Sequence, residues 1–147
     1  MKRILPPTLL LICIGTMCLL HILIPFLKVI DYPINLLGIL FILIGIWIDF
    51  AGSNIFKIAN TTEMTFSEPS TLVTNGIYKI SRNPMYLGLV QILVGVSIIL
   101  GSITPFIIVI AFVVITDQWY IKFEEKVLKD KFGKEYLIYK SKVRRWI

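Results

Sequence analysis

The chain has 147 residues, 56% of them hydrophobic, with a mean hydropathy of +0.83 and a formal net charge of +6. That length fits one domain, residues 1–147, and that hydropathy lies above the soluble range. A single histidine excludes a His-rich metal site, and a basic excess lying beside anionic lipid headgroups needs no nucleic-acid partner to explain it.

Charge is missing between Arg3 and Lys28, between Asp31 and Asp49, and between Arg82 and Asp117, leaving uncharged runs of 24, 17 and 34 residues. At about 1.5 Å per helical residue, the first crosses a hydrocarbon core of roughly 30 Å and the second barely does. The third is too long for one span. It carries Gly101-Ser102-Ile103-Thr104-Pro105 at its centre, a turn-rich interruption that folds it into a hairpin of two helices. The expected fold is therefore all-α, a polytopic membrane helix bundle with about four transmembrane helices at 4–27, 34–50, 84–100 and 105–121. A cytoplasmic loop over 51–83 and a C-terminal cytoplasmic amphipathic helical segment over 122–147 complete it.

Lys2-Arg3 precede the first apolar run, but no small-x-small cleavage site follows, so that run reads as a retained helix. Cys13 and Cys18 within it read as small apolar side chains. Helix two can continue beyond the span through Phe56. Between Asn60 and Ser81 the turn-formers Thr61-Thr62, Ser67-Glu68-Pro69-Ser70-Thr71 and Thr74-Asn75-Gly76 predict an irregular connection, anchored by Leu72, Val73, Ile77, Tyr78 and Ile80. Asn83 can cap helix three, and Pro84 suits its first position, where the missing N–H costs nothing. Past helix four, Phe123, Val127 and Leu128 form an apolar stripe, and Gly133 is a natural stop. The stretch Glu135 to Ile147 is amphipathic, with Tyr136, Tyr139 and Trp146 spaced to sit at the membrane interface.

Basic residues near helix ends stay on the cytoplasmic side. Two precede the first helix, Lys28 lies in the first loop, Lys57, Lys79 and Arg82 lie in the middle segment, and nine follow Asp117. Both termini and the middle segment are expected in the cytoplasm, and the cell (inner) membrane is the expected location. Reporter fusions after Lys28, Asn75, Ser102 and Ile147 should read outside, inside, outside, inside. An outside signal at Asn75 would separate the start of helix three from the cytosol and sink any site there that uses a cytosolic ligand.

Two constellations could carry chemistry. Arg82-Asn83-Pro84-Met85-Tyr86-Leu87-Gly88 sets a guanidinium beside a helix N-terminus, a combination that attracts anions. Glu124-Glu125 lie on the same side of the membrane. Adjacent helical side chains point about 100° apart, so one is expected to face the bundle, Glu125 in preference. Each residue also has an ordinary reading: topology for Arg82, an interfacial ring for Tyr86, helix packing for Gly88, solvated surface for the acidic pair.

These residues, with Leu72-Val73-Thr74-Asn75-Gly76-Ile77-Tyr78-Lys79-Ile80-Ser81 before them and Phe132-Gly133-Lys134-Glu135-Tyr136-Leu137-Ile138-Tyr139 after, resemble the isoprenylcysteine carboxyl methyltransferase and phospholipid methyltransferase superfamily, in its small prokaryotic form. The resemblance runs from Thr61 to Arg145. Of the family's Arg-His-Pro-x-Tyr-x-Gly motif, Arg82, Pro84, Tyr86 and Gly88 match and Asn83 replaces the histidine, removing a group that could titrate near pH 7. The resemblance implies S-adenosyl-L-methionine as methyl donor, bound at the cytosol by Arg82, Asn83, Pro84, Tyr86, Gly88, Glu124 and Glu125. On this reading Arg82 and Asn83 hold the methionyl carboxylate, one glutamate holds the amino group or ribose hydroxyls, and Tyr86 packs alongside.

Arg144 and Arg145 are expected as the catalytic, substrate-side pair, steadying an anionic head group bidentately, although contact with anionic membrane lipid would explain them equally. The acceptor is expected to be lipophilic and to enter from the bilayer. The lost histidine favours a carboxylate, as in an isoprenylcysteine-like substrate, or a thiolate over a phospholipid amine, which must shed a proton before attack. Two other readings stand beside this one: an NADPH-dependent sterol-type reductase, and a non-catalytic four-helix transporter, which would place an acid within a span.

Overall fold

A computed structural model of the chain describes residues 4–24, 26–62 and 69–147. Lys2, Arg3, Ser67 and Glu68 lie outside the described residues. The helices are α1 (Pro6–Leu23), α2 (Leu37–Ile58), α3 (Pro84–Leu100), α4 (Thr104–Ile115) and α5 (Lys122–Lys142), with short 3-10 turns at Ile34–Leu36 and Gly76–Lys79. The expected membrane helix bundle is what forms. Three stretches, Pro6–Leu23, Ile34–Ile58 and Thr104–Lys142, contain a window long and apolar enough to cross a membrane, and Pro84–Leu100 is a shorter apolar helix.

The core lies between α1, α3 and α4, where Met17, Leu93 and Phe112 are fully buried. The outer faces are the reverse: Leu11, Ile22, Trp47, Phe50, Ile107 and Ile110 are all more than half exposed. Water would not tolerate that belt, whereas lipid solvates it without cost.

The α2 helix has almost no part in this core and is held by α3, the helix it meets most extensively. Gly38 and Gly45 of α2 face Gly95 and Gly88 of α3 in antiparallel register, one helical heptad apart on each side. A β-carbon on Gly45 would lie 2.6 Å from the Gly88 carbonyl oxygen, so the two backbones touch directly. Below this crossing α2 runs on to Ile58, confirming the continuation past Phe50, and Phe56 sets its ring edge-on to Tyr78 at 5.4 Å.

At the far end, Gly101 ends α3 in the left-handed conformation (φ 77°), and the chain reverses into α4 as the turn residues require. The α1–α2 loop is tied to this hairpin by Val29 N–H to Gly101 O (2.8 Å), Ile103 N–H to Leu27 O (3.2 Å) and Thr104 Oγ1–H to Ile24 O (2.8 Å). The first helix stops at Leu23, four residues short of its expected end, because the chain from Phe26 onward is committed to these cross-links.

The helix expected over 105–121 does not stop at 121. It passes through one π turn, Thr116–Ile121, straight into α5. A π turn admits an extra residue and so rotates the helix beyond it by about 100°. Gly133 breaks α5 at positive φ (51°), but the helix resumes and runs to Lys142, so the expected stop is a kink. At Val143 the backbone turns extended (φ −121°, ψ 132°), so the expected amphipathic helix to Ile147 ends at Lys142.

Candidate active site

The end of the bundle where α3 begins holds a cavity of about 340 Å³. Its walls come from Leu5–Pro7 ahead of and within α1, from Asp49, Ser53 and Phe56 on α2, and from the segment before α3. Arg82, Asn83, Met85, Tyr86 and Leu89 close one side, and α5 closes the other. The α5 contribution includes Glu124, Glu125, Val127 and Leu128 together, positions that spread over about 160° of a helix circumference. Both glutamates therefore reach the bundle, and the expectation that only one does so is corrected.

Arg82 is the centre of the polar wall. Its side chain is 8% exposed, and Nη2 donates to Glu125 Oε1 at 2.8 Å. Its Nε and Nη1 are buried and meet no acceptor among the described residues. Glu125 is shared: Arg145 grips it with Nε to Oε1 (3.0 Å) and Nη2 to Oε2 (2.9 Å), and Lys140 adds a bond at 3.0 Å. Arg145 also sets Nη1 against both oxygens of Asp117 at 3.1 Å, and Trp146 Nε1–H donates to the same carboxylate. Burial alone would raise the Glu125 carboxyl, but the bonds from Arg145 and Lys140 and the charges of Arg145 and Arg82 outweigh it and hold it below the ordinary carboxylate value. The same bond to Glu125 raises Arg145, against burial and helped by Asp117.

Tyr86 hydroxyl donates to Glu124 Oε1 at 2.8 Å, so its role exceeds packing. Asn83 stands at the N-cap position, and Pro84 follows at the first helical position as expected. The Asn83 side chain makes no cap, however, and Nδ2 instead donates to Arg145 O at 2.9 Å. Backbone donation from Arg82 N–H to Arg144 O (3.0 Å) completes the seam that binds the C-terminal segment along the start of α3.

Tyr136 and Tyr139 are buried against the cavity, not set at a lipid interface. Tyr139 hydroxyl donates to Tyr78 O at 2.6 Å. Burial, then the Glu125 charge, pushes Tyr136 up to about 12, and burial raises Tyr139 as well.

Of the residues singled out in the sequence, Arg82, Asn83, Tyr86, Glu124 and Glu125 share the cavity wall. Pro84, Gly88, Arg144 and Arg145 are not on it. Gly88 packs on α2, Arg144 is exposed, and Arg145 has its guanidinium committed to two carboxylates. Wall and network residues that were missed include Asp49, Ser53, Tyr136, Tyr139, Asp117 and Lys140. Asp49 was legible as the lone carboxylate of α2, but helix position alone does not say which way it points.

The family described as phospholipid methyltransferase matches residues 34–135. An uncharacterized protein of Haemophilus influenzae is 44% identical over 63 residues, 43% of this chain and 100% of that one. Protein-S-isoprenylcysteine O-methyltransferase B of Arabidopsis thaliana is 38% identical over 79 residues, 52% of this chain and 39% of its own length. Protein-S-isoprenylcysteine O-methyltransferase of Saccharomyces cerevisiae is 31% identical over 132 residues, 81% of this chain and 53% of its own. The chain thus spans about half or less of the two named relatives.

Proposed function

This chain belongs to the phospholipid methyltransferase family, and on that premise we propose that it transfers a methyl group from S-adenosylmethionine to a lipophilic acceptor in the membrane, with both termini and the cavity on the cytoplasmic side. The observation that carries the reading is Arg82, a lining residue of the cavity that Glu124 also lines, whose buried Nε and Nη1 donors meet no acceptor among the described residues. A buried unsatisfied donor costs roughly 1–3 kcal/mol, more when charged, and a planar carboxylate bound there would recover that cost.

The residues fit a zwitterionic amino-acid end. Arg82 binds its carboxylate, helped by the uncapped first turn of α3, and Glu124, oriented by Tyr86, binds its ammonium. When bound, S-adenosylmethionine supplies an electrophilic methyl group on a sulfonium. Phe56, Met85, Leu89, Val127 and Leu128 give the rest of the wall an apolar lining that excludes water and holds the two partners in line. Arg82, Asn83, Tyr86, Glu124 and Glu125 are the proposed cofactor-side residues. Pro84 and Gly88 act behind the wall by shaping α3.

For the acceptor, a carboxylate of isoprenylcysteine type needs no base, and that reading rests on Asn83 standing where the family motif has histidine. Asp49 on the cavity wall favours a second reading, because it provides a carboxylate that could take the proton an amine acceptor must lose. The family match lends nothing to the reductase or transporter readings. Calorimetric titration of detergent-purified protein should show saturable binding of S-adenosylmethionine and none of NADPH. Binding of NADPH alone would overturn the assignment.

A further inference from the structure

We infer that Arg145 is a positioning residue: by gripping both oxygens of Glu125 it prevents that carboxylate from closing on Arg82, and so leaves two buried Arg82 donors without an acceptor among the described residues, reserved for the anionic end of a ligand. The inference rests on the proposed function, in which that end is the carboxylate of S-adenosylmethionine. It assigns Arg145 a task different from holding substrate.

A carboxylate beside a guanidinium ordinarily pairs with it through two parallel bonds. Glu125 and Arg82 depart from that pattern, since one bond joins them, Nη2 to Oε1 at 2.8 Å. The reason is occupancy. Oε2 of Glu125 is taken by Arg145 Nη2 (2.9 Å) and Lys140 Nζ (3.0 Å), and Oε1 already accepts from Arg145 Nε (3.0 Å). Were Arg145 withdrawn, Glu125 could turn its second oxygen onto Arg82 and occupy one of the donors that now has no acceptor among the described residues.

Arg145 can resist that pull because it is fixed from three other directions. Asp117 accepts from its Nη1 with both oxygens (3.1 Å), and the π turn sets Asp117 at this point of the chain. The Arg145 carbonyl accepts from Asn83 Nδ2 (2.9 Å), and its neighbour's carbonyl accepts from Arg82 N–H (3.0 Å). Trp146, bonded to Asp117 and packed against the bundle core, anchors the segment on its far side. The C-terminal segment thus sets the geometry of Arg82 twice, through its backbone and through Glu125.

A lysine at this position would keep the charge and lose the two-armed grip. The test compares S-adenosylmethionine with its decarboxylated analogue, which lacks only the group Arg82 is assigned to bind, by calorimetry on the full chain in detergent. The parent should prefer the carboxylated ligand by about tenfold or more. Arg145→Lys should lose most of that preference while binding the decarboxylated analogue within about twofold of the parent. Asp117→Asn should shift the preference in the same direction by less, and decides the matter if Arg145→Lys does not fold. A general distortion of the cavity would instead weaken both ligands in proportion, and that outcome, or an intact preference in folded Arg145→Lys, overturns the inference. A parent with no preference at all sinks the role of Arg82 itself, a result distinguishable from failure of the Arg145 assignment alone.

Discussion

Arg82→Ala should weaken S-adenosylmethionine binding by about tenfold or more while leaving the bundle folded. Charge-assisted bonds of the kind assigned to Arg82 are worth roughly 1.5–3 kcal/mol, and about 1.4 kcal/mol corresponds to a decade in affinity. The fold should survive because Glu125, the one carboxylate that Arg82 meets among the described residues, keeps Arg145 and Lys140 after the truncation, so no bare charge is left buried. Arg82→Lys should lose part of the affinity, since one ammonium cannot supply both the bond to Glu125 and a planar pair of donors to a ligand. If Arg82 served only to fix topology, lysine would be a full replacement and alanine would lower insertion without touching the affinity of correctly oriented protein. Reporter fusions and titration of the same purified variants separate these outcomes. Unchanged affinity in well-folded Arg82→Ala would remove it from the site.

The sequence was most informative where chemistry forces a local conformation. Uncharged run lengths placed the apolar helices, Pro84 marked the start of α3, and the Gly101–Pro105 turn marked the hairpin, because each constraint acts within a few residues. Arg82, Asn83, Tyr86 and Glu124-Glu125 were legible as a group through their resemblance to a family motif, and they do meet on one cavity. The features that stayed hidden depend on helical phase and on distant partners. The π turn at Thr116–Ile121 leaves no mark in apolar periodicity, yet it rotates α5 relative to α4. Tyr136 and Tyr139 have the spacing of interfacial aromatics, and only the kink at Gly133 (φ 51°) shows that this half of α5 turns back under the bundle. Arg145 looked like a free head-group ligand because its two carboxylates are 20 and 28 residues away along the chain.

Gly45→Val and Gly88→Val should each be severely destabilising, with large losses of melting temperature and yield in detergent. A β-carbon at Gly45 would sit 2.6 Å from Gly88 O, and one at Gly88 would sit 2.7 Å from Gly45 O. The obstructing atoms are backbone on both sides, so no side-chain rotation relieves the clash and the helices must separate. Overpacking a core with added methyl groups costs about 1–3 kcal/mol, and separating a backbone-to-backbone helix contact should exceed that. Gly15→Ala on α1 is the control, because a β-carbon there meets nothing within 4 Å among the described residues and the exchange removes a helix penalty of about 1 kcal/mol. Function should fail together with packing, since a Gly88 β-carbon would also press on Asp49, 3.2 Å from its backbone nitrogen, and Asp49 lines the cavity with Ser53 and Phe56 of the same helix. This result would give the motif glycine a reason that lies in helix approach, with Gly45 as sensitive as Gly88 although it stands outside the motif. A Gly45→Val protein that melts within a degree or two of the parent would refute that account. Loss of S-adenosylmethionine affinity in a fully stable Gly88→Ala, with Gly45→Ala unaffected, would return Gly88 to the cofactor site.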